Sequence, residues 1–336
     1  MDRAVTRPLR PRLGFLGTGW IGRHRMAAMA GTDLADIVAV AEPDDAAAAE
    51  ALQLAPAARR VDGLDALLDA GVDGVVIATP SAAHAAQSTA ALSAGKAVFC
   101  QKPLGRSAAE VAAVVEAAAC ADRLLGVDLS YRHTAGMTAI RDLLAQGALG
   151  HVFGVDLLFH NAWGPDKPWF YDPALSGGGC VADLGVHMVD MALWALDWPE
   201  VTGVQSRLFA KGAPLADPDR QVEDYAVATL DLAGGTVVRL GCSWGLQAGR
   251  PAVIGAEFFG AEGGASLRNV DGSFYDLIAA RHHHTQEEPL SSLPDEWGGR
   301  AAVDWLARLA QGAGHDPRSD RLVTVARVLD AIYGRA

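Results

Sequence analysis

The chain has 336 residues, 40 of them acidic and 28 basic, which leaves a formal charge of −12 with histidine neutral. Nucleic-acid binders need clustered Lys and Arg to displace counterions from phosphates, so this balance argues against that class. With 50% hydrophobic and 20% charged residues the chain is too apolar for disorder and long enough to bury a core in one or two domains. The longest stretch without Asp, Glu, Lys or Arg, residues 74–95, carries Pro80, Ser81, His84, Gln87, Ser88, Thr89 and Ser93, so it does not read as a membrane span. The N-terminal MDRAVTRPLRPRL has basic residues but no twin Arg, and the glycine-rich apolar run behind it reads as a buried strand and turn rather than a secretory segment. Cys100, Cys120, Cys180 and Cys242 lie far apart without CxxC spacing, as expected of reduced thiols in a cytoplasmic protein.

Strands are predicted at 13–16, 37–41, 74–78, 97–100 and 124–127, alternating with Ala-rich helices at 20–30, 44–54, 64–70, 82–94 and 107–121. This alternation predicts βαβ units and a parallel, doubly wound α/β sheet, its strands apolar enough to be buried on both faces. After Asp128 the texture changes to one helix at 137–146 and longer Val-, Phe-, Thr- and Tyr-rich strands at 153–160, 201–209, 225–232, 237–243 and 256–259. Ala233-Gly234-Gly235 reads as a hairpin turn. The pattern divides the chain into a Rossmann domain over 1–128 and an α+β domain with a large, mostly antiparallel sheet over 129–336. Helices at 300–311 and 321–333 end the chain and are free to pack back on the first domain.

Gly17-Thr18-Gly19-Trp20-Ile21-Gly22 is a GxGxxG run that follows the first strand and opens the first helix. In that context Gly17 makes the tight turn, Gly19 admits a pyrophosphate, and Gly22 allows close packing of helix on strand. Glu42, twenty residues past Gly22 at the end of the second strand, is placed to accept hydrogen bonds from adenosine ribose hydroxyls. A carboxylate there repels a 2′-phosphate and favours NAD, while Arg59 and Arg60 keep NADP open. Ligands of doubly wound sheets bind beyond the carboxyl ends of the strands, so Thr79-Pro80-Ser81, with His84 in the next helix, should border the cofactor. A helix cap made by Ser81 or Thr79, and a packed His84, are the plainer readings of the same residues.

Gln101-Lys102-Pro103 closes the strand 97–100, where the lysine charge would stabilise a developing alkoxide; a solvated surface lysine is the plainer reading. A triglycine, Gly177-Gly178-Gly179, leads into a segment read as helix, with Val181, Leu184, Met188 and Met191 in one stripe. Asp183, His187, Asp190 and Trp194 recur on another side. An Asp and a His four apart suit proton transfer near neutral pH, against the plainer reading of a capped amphipathic helix. Asp190 reads as structural.

These stretches, together with AGKAVFCQKPLG, the helix 137–146 ending in Gly147-Ala148-Leu149-Gly150 and the strand start Val222-Glu223-Asp224-Tyr225, resemble the glucose–fructose oxidoreductase / inositol dehydrogenase (Gfo/Idh/MocA) family over nearly the whole chain. The resemblance implies an NAD(P)-dependent dehydrogenase acting on a sugar, polyol or related hydroxy compound. It places the family's EKP lysine on Lys102 and its DxGxH pair on Asp183 and His187. Gln101 stands where the family more commonly has Glu, which removes a charge that would pair with the lysine. The Lys-Pro bond of such proteins is often cis. The resemblance also implies a homodimer or homotetramer through the second sheet.

The expected mechanism passes hydride to nicotinamide while His187 takes the hydroxyl proton, Asp183 fixes the hydroxyl or the imidazole tautomer, and Lys102 favours the alkoxide. Lys102 as the proton acceptor stays open. Substrate contacts are expected from Tyr131, Arg132, His160, Asn161 and the loop carrying Trp163, Lys167 and Trp169, for which a lid or dimer contact is the alternative. His282-His283-His284 reads as a solvated loop without metal. A non-catalytic NAD-responsive regulator, and an enzyme that uses bound NAD for transient oxidation, are the competing classes.

Overall fold

Short apolar runs separated by Ala-rich helices give the first unit its parallel sheet. The structure, a computed structural model, describes residues 10–335, so most of the basic N-terminal stretch considered for a secretory segment lies outside it. The chain divides into two units. The first runs to Leu104 and takes in Ala109–Asp128 and Gly299–Asp320; the second comprises Gly105–Ala108, Leu129–Gly298 and the chain from Arg321 onward. Against a single cut at 128, the difference is that residues 105–108 group with the second unit and 299–320 with the first.

In the first unit β1 (Arg12–Leu16), α1 (Trp20–Ala30), β2 (Asp36–Ala41), α2 (Asp45–Leu54), β3 (Arg59–Arg60), α3 (Gly63–Asp69), β4 (Gly74–Ile77), α4 (Ser81–Ser93), β5 (Ala97–Cys100), α5 (Ala108–Ala121) and β6 (Leu125–Val127) follow in turn. The strands pair in parallel in the order β3-β2-β1-β4-β5-β6. This is the doubly wound arrangement, and the order reverses between β1 and β4, where a nucleotide site forms. Leu13, Phe15, Val76 and Phe99 fill the core beneath α1. The two-residue β3 was not anticipated, because a pair of exposed arginines at a sheet edge carries no hydrophobic signal.

The second unit contains α6 (Ala135–Ala145), β7 (Val152–Asn161), α7 (Pro173–Ser176), α8 (Val186–Ala195), β8 (Val201–Ala210), β9 (Ala213–Pro214), β10 (Tyr225–Leu232), β11 (Val237–Ser243), β12 (Ala252–Gly260), β13 (Gly264–Asn269), β14 (Leu277–His283) and β15 (Gln286–Pro289). Their nine-stranded order is β15-β14-β13-β12-β7-β11-β10-β8-β9, antiparallel except for the parallel pair β7 and β11. Period-two alternation divides the faces. Val155, Leu157, Phe159, Ala226, Ala228, Leu240, Ala256 and Phe258 point inward and are buried. Leu158, Val227, Val237, Phe259 and Ile278 are exposed on the other face. Strands β13 to β15 escaped sequence reading, and the histidine run is not a loop: His282 and His283 end β14, and His282 Nε2 lies 2.8 Å from Ser266 Oγ on the neighbouring strand.

Two helices end the chain, α9 (Arg300–Ala310) in the first unit and α10 (Asp320–Tyr333) in the second. In α9, Ala301, Ala302, Trp305 and Leu306 join the parallel-sheet core, with Trp305 5.8 Å from Phe99 ring to ring. Among the described residues no helix is long and apolar enough to cross a membrane.

Candidate active site

In the first unit the glycine run turns sharply out of β1. Gly17 has φ +84° and a Cβ there would lie 2.7 Å from Ala78 O, so only glycine fits. At Gly22 a Cβ would meet Gly17 O at 2.4 Å, whereas Gly19 faces open space. No side chain caps α1 at Gly19, which leaves its first N–H groups to an anion. Trp20 at the start of the helix is exposed and Ile21 half-buried. Thr18 is buried, and its N–H and hydroxyl donate to Glu42 Oε2 at 2.6 and 3.3 Å. The other oxygen of Glu42 accepts from Asp44 N at 3.1 Å. Arg60 is committed to the same turn, donating to Glu42 O and Pro43 O and pairing with Asp45 at 2.6 Å.

After β4, Thr79 Oγ1 donates to Gln87 Oε1 at 2.6 Å, and neither Thr79 nor the buried Ser81 makes a cap bond to α4. His84 is buried, with Nε2 2.6 Å from Thr79 O and Nδ1 2.7 Å from Pro103 O. Both ring nitrogens are thus engaged by the main chain, and the imidazole clips the turn after β4 to the turn after β5. Burial pushes its pKa down, the two carbonyls pull it up, and the Lys102 charge adds to the lowering. Gln101 is buried too; its amide donates to Asp128 Oδ2 at 2.5 Å, an oxygen shared with Arg25 Nε at 2.5 Å. The half-buried Lys102 follows, and the Lys102–Pro103 bond is cis.

In the second unit the triglycine bends with φ +84° at Gly177 and +158° at Gly178. The next residues form not an α-helical turn but one turn of π-helix, Val181–Gly185, before α8 begins. Such turns widen the backbone and are frequent at functional sites. Asp183 is half-buried between buried neighbours, and its Oδ2 accepts from Trp244 Nε1 at 3.1 Å. His187 is buried against Tyr131, with ring centroids 4.9 Å apart, and Tyr131 also meets Trp297 at 4.8 Å and Phe159 at 5.7 Å. Burial, then the charges of Asp183 and Tyr275, hold the Tyr131 phenol protonated well above its ordinary range. Phe170 and Tyr171 meet Trp244 edge-on. Asp183 is thus held against Trp244 and His187 against Tyr131, each within its own aromatic cluster.

The remaining expected substrate residues are not all gathered there. Arg132 forms a two-pronged pair with the buried Asp190 and lies 5.2 Å from the Trp198 ring centre, so its guanidinium is structural. Burial raises the Asp190 pKa and Arg132 opposes it. His160 points to the sheet face opposite Phe159, bonded to Ser243 Oγ at 2.9 Å and stacked on Tyr225, away from the Tyr131–His187 contact. Asn161 Oδ1 accepts from Trp163 N at 2.8 Å, which ties the start of the loop. Trp163 and Lys167 are exposed, and Trp169 stacks on Phe170 at 3.8 Å.

Residues 11–129 match the oxidoreductase family with an NAD-binding Rossmann fold, and residues 137–266 match the Gfo/Idh/MocA C-terminal domain. The chain belongs to the Gfo/Idh/MocA family. An inositol 2-dehydrogenase of Acidothermus cellulolyticus is 31% identical over 315 residues, 92% of this chain and 84% of that protein. Inositol 2-dehydrogenase 3 of Saccharopolyspora erythraea is 32% identical over 188 residues, so the chain matches about half, 54%, of that relative's length. A levoglucosan dehydrogenase in complex with NADH and levoglucosan shares the fold with a TM-score of 0.84 at 22% identity, covering 98% of this chain and 97% of that one.

Membership of Gfo/Idh/MocA makes the chain part of an NAD-binding oxidoreductase family and explains why its short motifs were readable. Trp244, Tyr171, Trp297 and the buried Arg25–Asp128 pair were missed, since each partner lies far along the chain. Glu223 was visible only as part of the Val222-Glu223-Asp224-Tyr225 stretch, and Tyr333 as the end of a helix.

Proposed function

We propose that this family member is an NAD-dependent dehydrogenase that oxidises a hydroxyl of a sugar or polyol. The observation that carries the reading is the Asp183–His187 segment, which a π-turn sets against aromatic rings: Asp183 on Trp244, which Phe170 and Tyr171 flank, and His187 on Tyr131. Aromatic faces take the C–H side of a sugar ring, while the carboxylate and imidazole meet its hydroxyls. NAD supplies the hydride acceptor. His187 receives the hydroxyl proton, Asp183 fixes the reacting hydroxyl, and Lys102 stabilises alkoxide charge, with Lys102 as the alternative proton acceptor. Glu42, bonded to Thr18, and Arg60, spent on the β2–α2 turn, support NAD over NADP. The exposed apolar face of the nine-stranded sheet supports a homodimer or homotetramer, and four free cysteines support a cytoplasmic setting.

Reduced nicotinamide is followed by absorbance with a panel of inositols, levoglucosan, other sugars and polyols, with NAD and NADP in turn. On the compound oxidised, Lys102→Met and His187→Ala each lower kcat by roughly 10²-fold or more. Wild-type rates in both variants overturn the assignment. Absence of turnover with every compound moves the reading to a regulator, and product formed without accumulating reduced cofactor moves it to transient oxidation.

A further inference from the structure

The first N–H groups of a helical segment have no partner within the helix and must find one elsewhere. Here that segment is the π-turn Val181–Gly185, and Cys180 before it supplies no side-chain cap. Glu223, fully buried at the approach to β10, takes that role. Its carboxylate accepts from Val181 N at 2.8 Å and from Gly179 N at 3.0 and 3.1 Å. Tyr333, the last residue of α10, completes the set. Its hydroxyl donates to Glu223 Oε1 at 2.8 Å and accepts from Ala182 N at 3.1 Å, which uses its single proton and one lone pair. Two residues on, Arg335 Nη1 donates to Gly177 O at 2.8 Å.

The triglycine is fitted to this fastening. A Cβ on Gly178 would lie 1.9 Å from the Tyr333 hydroxyl, and one on Gly179 would lie 1.8 Å from Glu223 O. Asp183 N then bonds Gly179 O at 3.1 Å, so the fixed glycines and the Asp183 backbone form one unit. Two distant parts of the chain, at Glu223 and at Tyr333–Arg335, thus meet on residues 177–182, just ahead of Asp183.

We infer that Tyr333, acting with Glu223, is a positioning residue for Asp183: the phenol and carboxylate hold the triglycine and π-turn in the one conformation that presents the Asp183 carboxylate. This rests on the proposed role of Asp183 in hydroxyl oxidation. Displacement by about 1 Å from a remote site is enough to slow a reaction ~100-fold.

The experiment compares Tyr333→Phe with Ser206→Ala in the full chain. Ser206 Oγ donates to Ile332 O at 2.6 Å, so its loss loosens the same end of α10 without touching Glu223. Two readouts are taken: kcat and KM on the panel compound that wild type oxidises, and hydrogen–deuterium exchange of peptides covering 178–187. Tyr333→Phe is expected to lower kcat roughly 10- to 100-fold with KM changed much less, and to speed exchange in that peptide. Ser206→Ala is expected to keep wild-type kcat and exchange there. Wild-type kcat and exchange in Tyr333→Phe, or an equal loss in Ser206→Ala, overturn the inference. Should wild type oxidise nothing in the panel, the dehydrogenase reading fails separately, while unchanged exchange in Tyr333→Phe still overturns the fastening. Glu223→Gln, whose amide NH2 takes the Oε2 place against the Gly179 N–H while its oxygen can stay on Val181 N, is expected to give the same signature and serves if Tyr333→Phe does not fold.

Discussion

Gln101 occupies the place where the family pattern more commonly has glutamate, and Asp128 supplies the reason for the amide. Its N–H donates to Asp128 Oδ2 at 2.5 Å, beside the Arg25 guanidinium on the same oxygen, all three side chains being buried. A glutamate would turn that bond into an encounter of two carboxylates, so Gln101→Glu is expected to cost about 1–3 kcal/mol in urea unfolding at pH 7.5. The like charge raises the pKa of the new carboxyl, so the penalty belongs to the ionised form and shrinks as pH falls toward 5; equal stability at pH 7.5 would sink the argument. The thiols make a second residue-scale test. Burial pushes Cys100 up to about 12 and Cys180 well above its ordinary value, Cys242 is buried, and Cys120 is exposed. A thiol reagent at pH 8 should therefore titrate one cysteine per native chain and four in denaturant; fast reaction of two or more in native protein contradicts the burial. At this scale the local signals were legible: Gly17, Gly22 and Lys102 could be read from neighbours a few positions away. The partners of Gln101, Asp183 and Ala182 were not, because Asp128, Trp244 and Tyr333 stand 27, 61 and 151 residues from them.

Elements show the same division. A helix drawn at 3.6 residues per turn from Val181 separates an apolar stripe from an Asp–His–Asp–Trp side, but the π-turn breaks that register before α8 starts. From Val186 on, α8 is buried almost all round, so Asp190 is held by Arg132 rather than displayed beside His187. Sequence periodicity found the segment and its chemical residues; it had no means of finding the wider turn, which depends on Glu223 and Tyr333. The amphipathic α9 was recognised as a helix, yet its place in the first unit rests on packing that only the fold shows, with Trp305 its largest side chain in the core. Trp305 fills space above Gly74 and Gly126, where a Cβ would approach its ring to 2.8 and 2.6 Å. Trp305→Ala is expected to cost about 3–5 kcal/mol by emptying that space. Its indole N–H is buried without a hydrogen-bond partner among the described residues, so Trp305→Phe should cost distinctly less. Urea midpoints for the two variants check the order, and equal losses would mean that the N–H, not the ring volume, matters.

For the whole molecule, the two sheets answer the burial problem differently. The parallel sheet is short-stranded and apolar on both faces, a texture plain in the sequence, and helices cover it on either side. The nine-stranded sheet covers one face with α6 and α8 and leaves the other with Leu158, Val227, Val237, Phe259 and Ile278 exposed. Its far strands β13 to β15 were illegible because glycine, arginine and histidine interrupt the alternation of β13 and β14 and because β15, QEEP, is polar and exposed throughout. Four of the exposed residues lie on the adjacent strands β12, β7, β11 and β10 and Ile278 on β14 beyond β13, and the ion pairs Asp156–Arg239 and Glu257–Arg268 sit among them on the same face. Apolar side chains recurring on one face of the sheet support the proposed assembly there. The proposed assembly through this face makes a definite prediction. Leu158→Glu combined with Phe259→Glu sets two carboxylates on adjacent strands, which costs little in a solvated monomer and several kcal/mol in a face closed against its own copy. Sedimentation at micromolar concentration should therefore give a dimer or tetramer for wild type and a monomer with unchanged far-ultraviolet circular dichroism for the double variant. A monomeric wild type, or a double variant that keeps the wild-type mass, would show that subunits do not meet on this sheet.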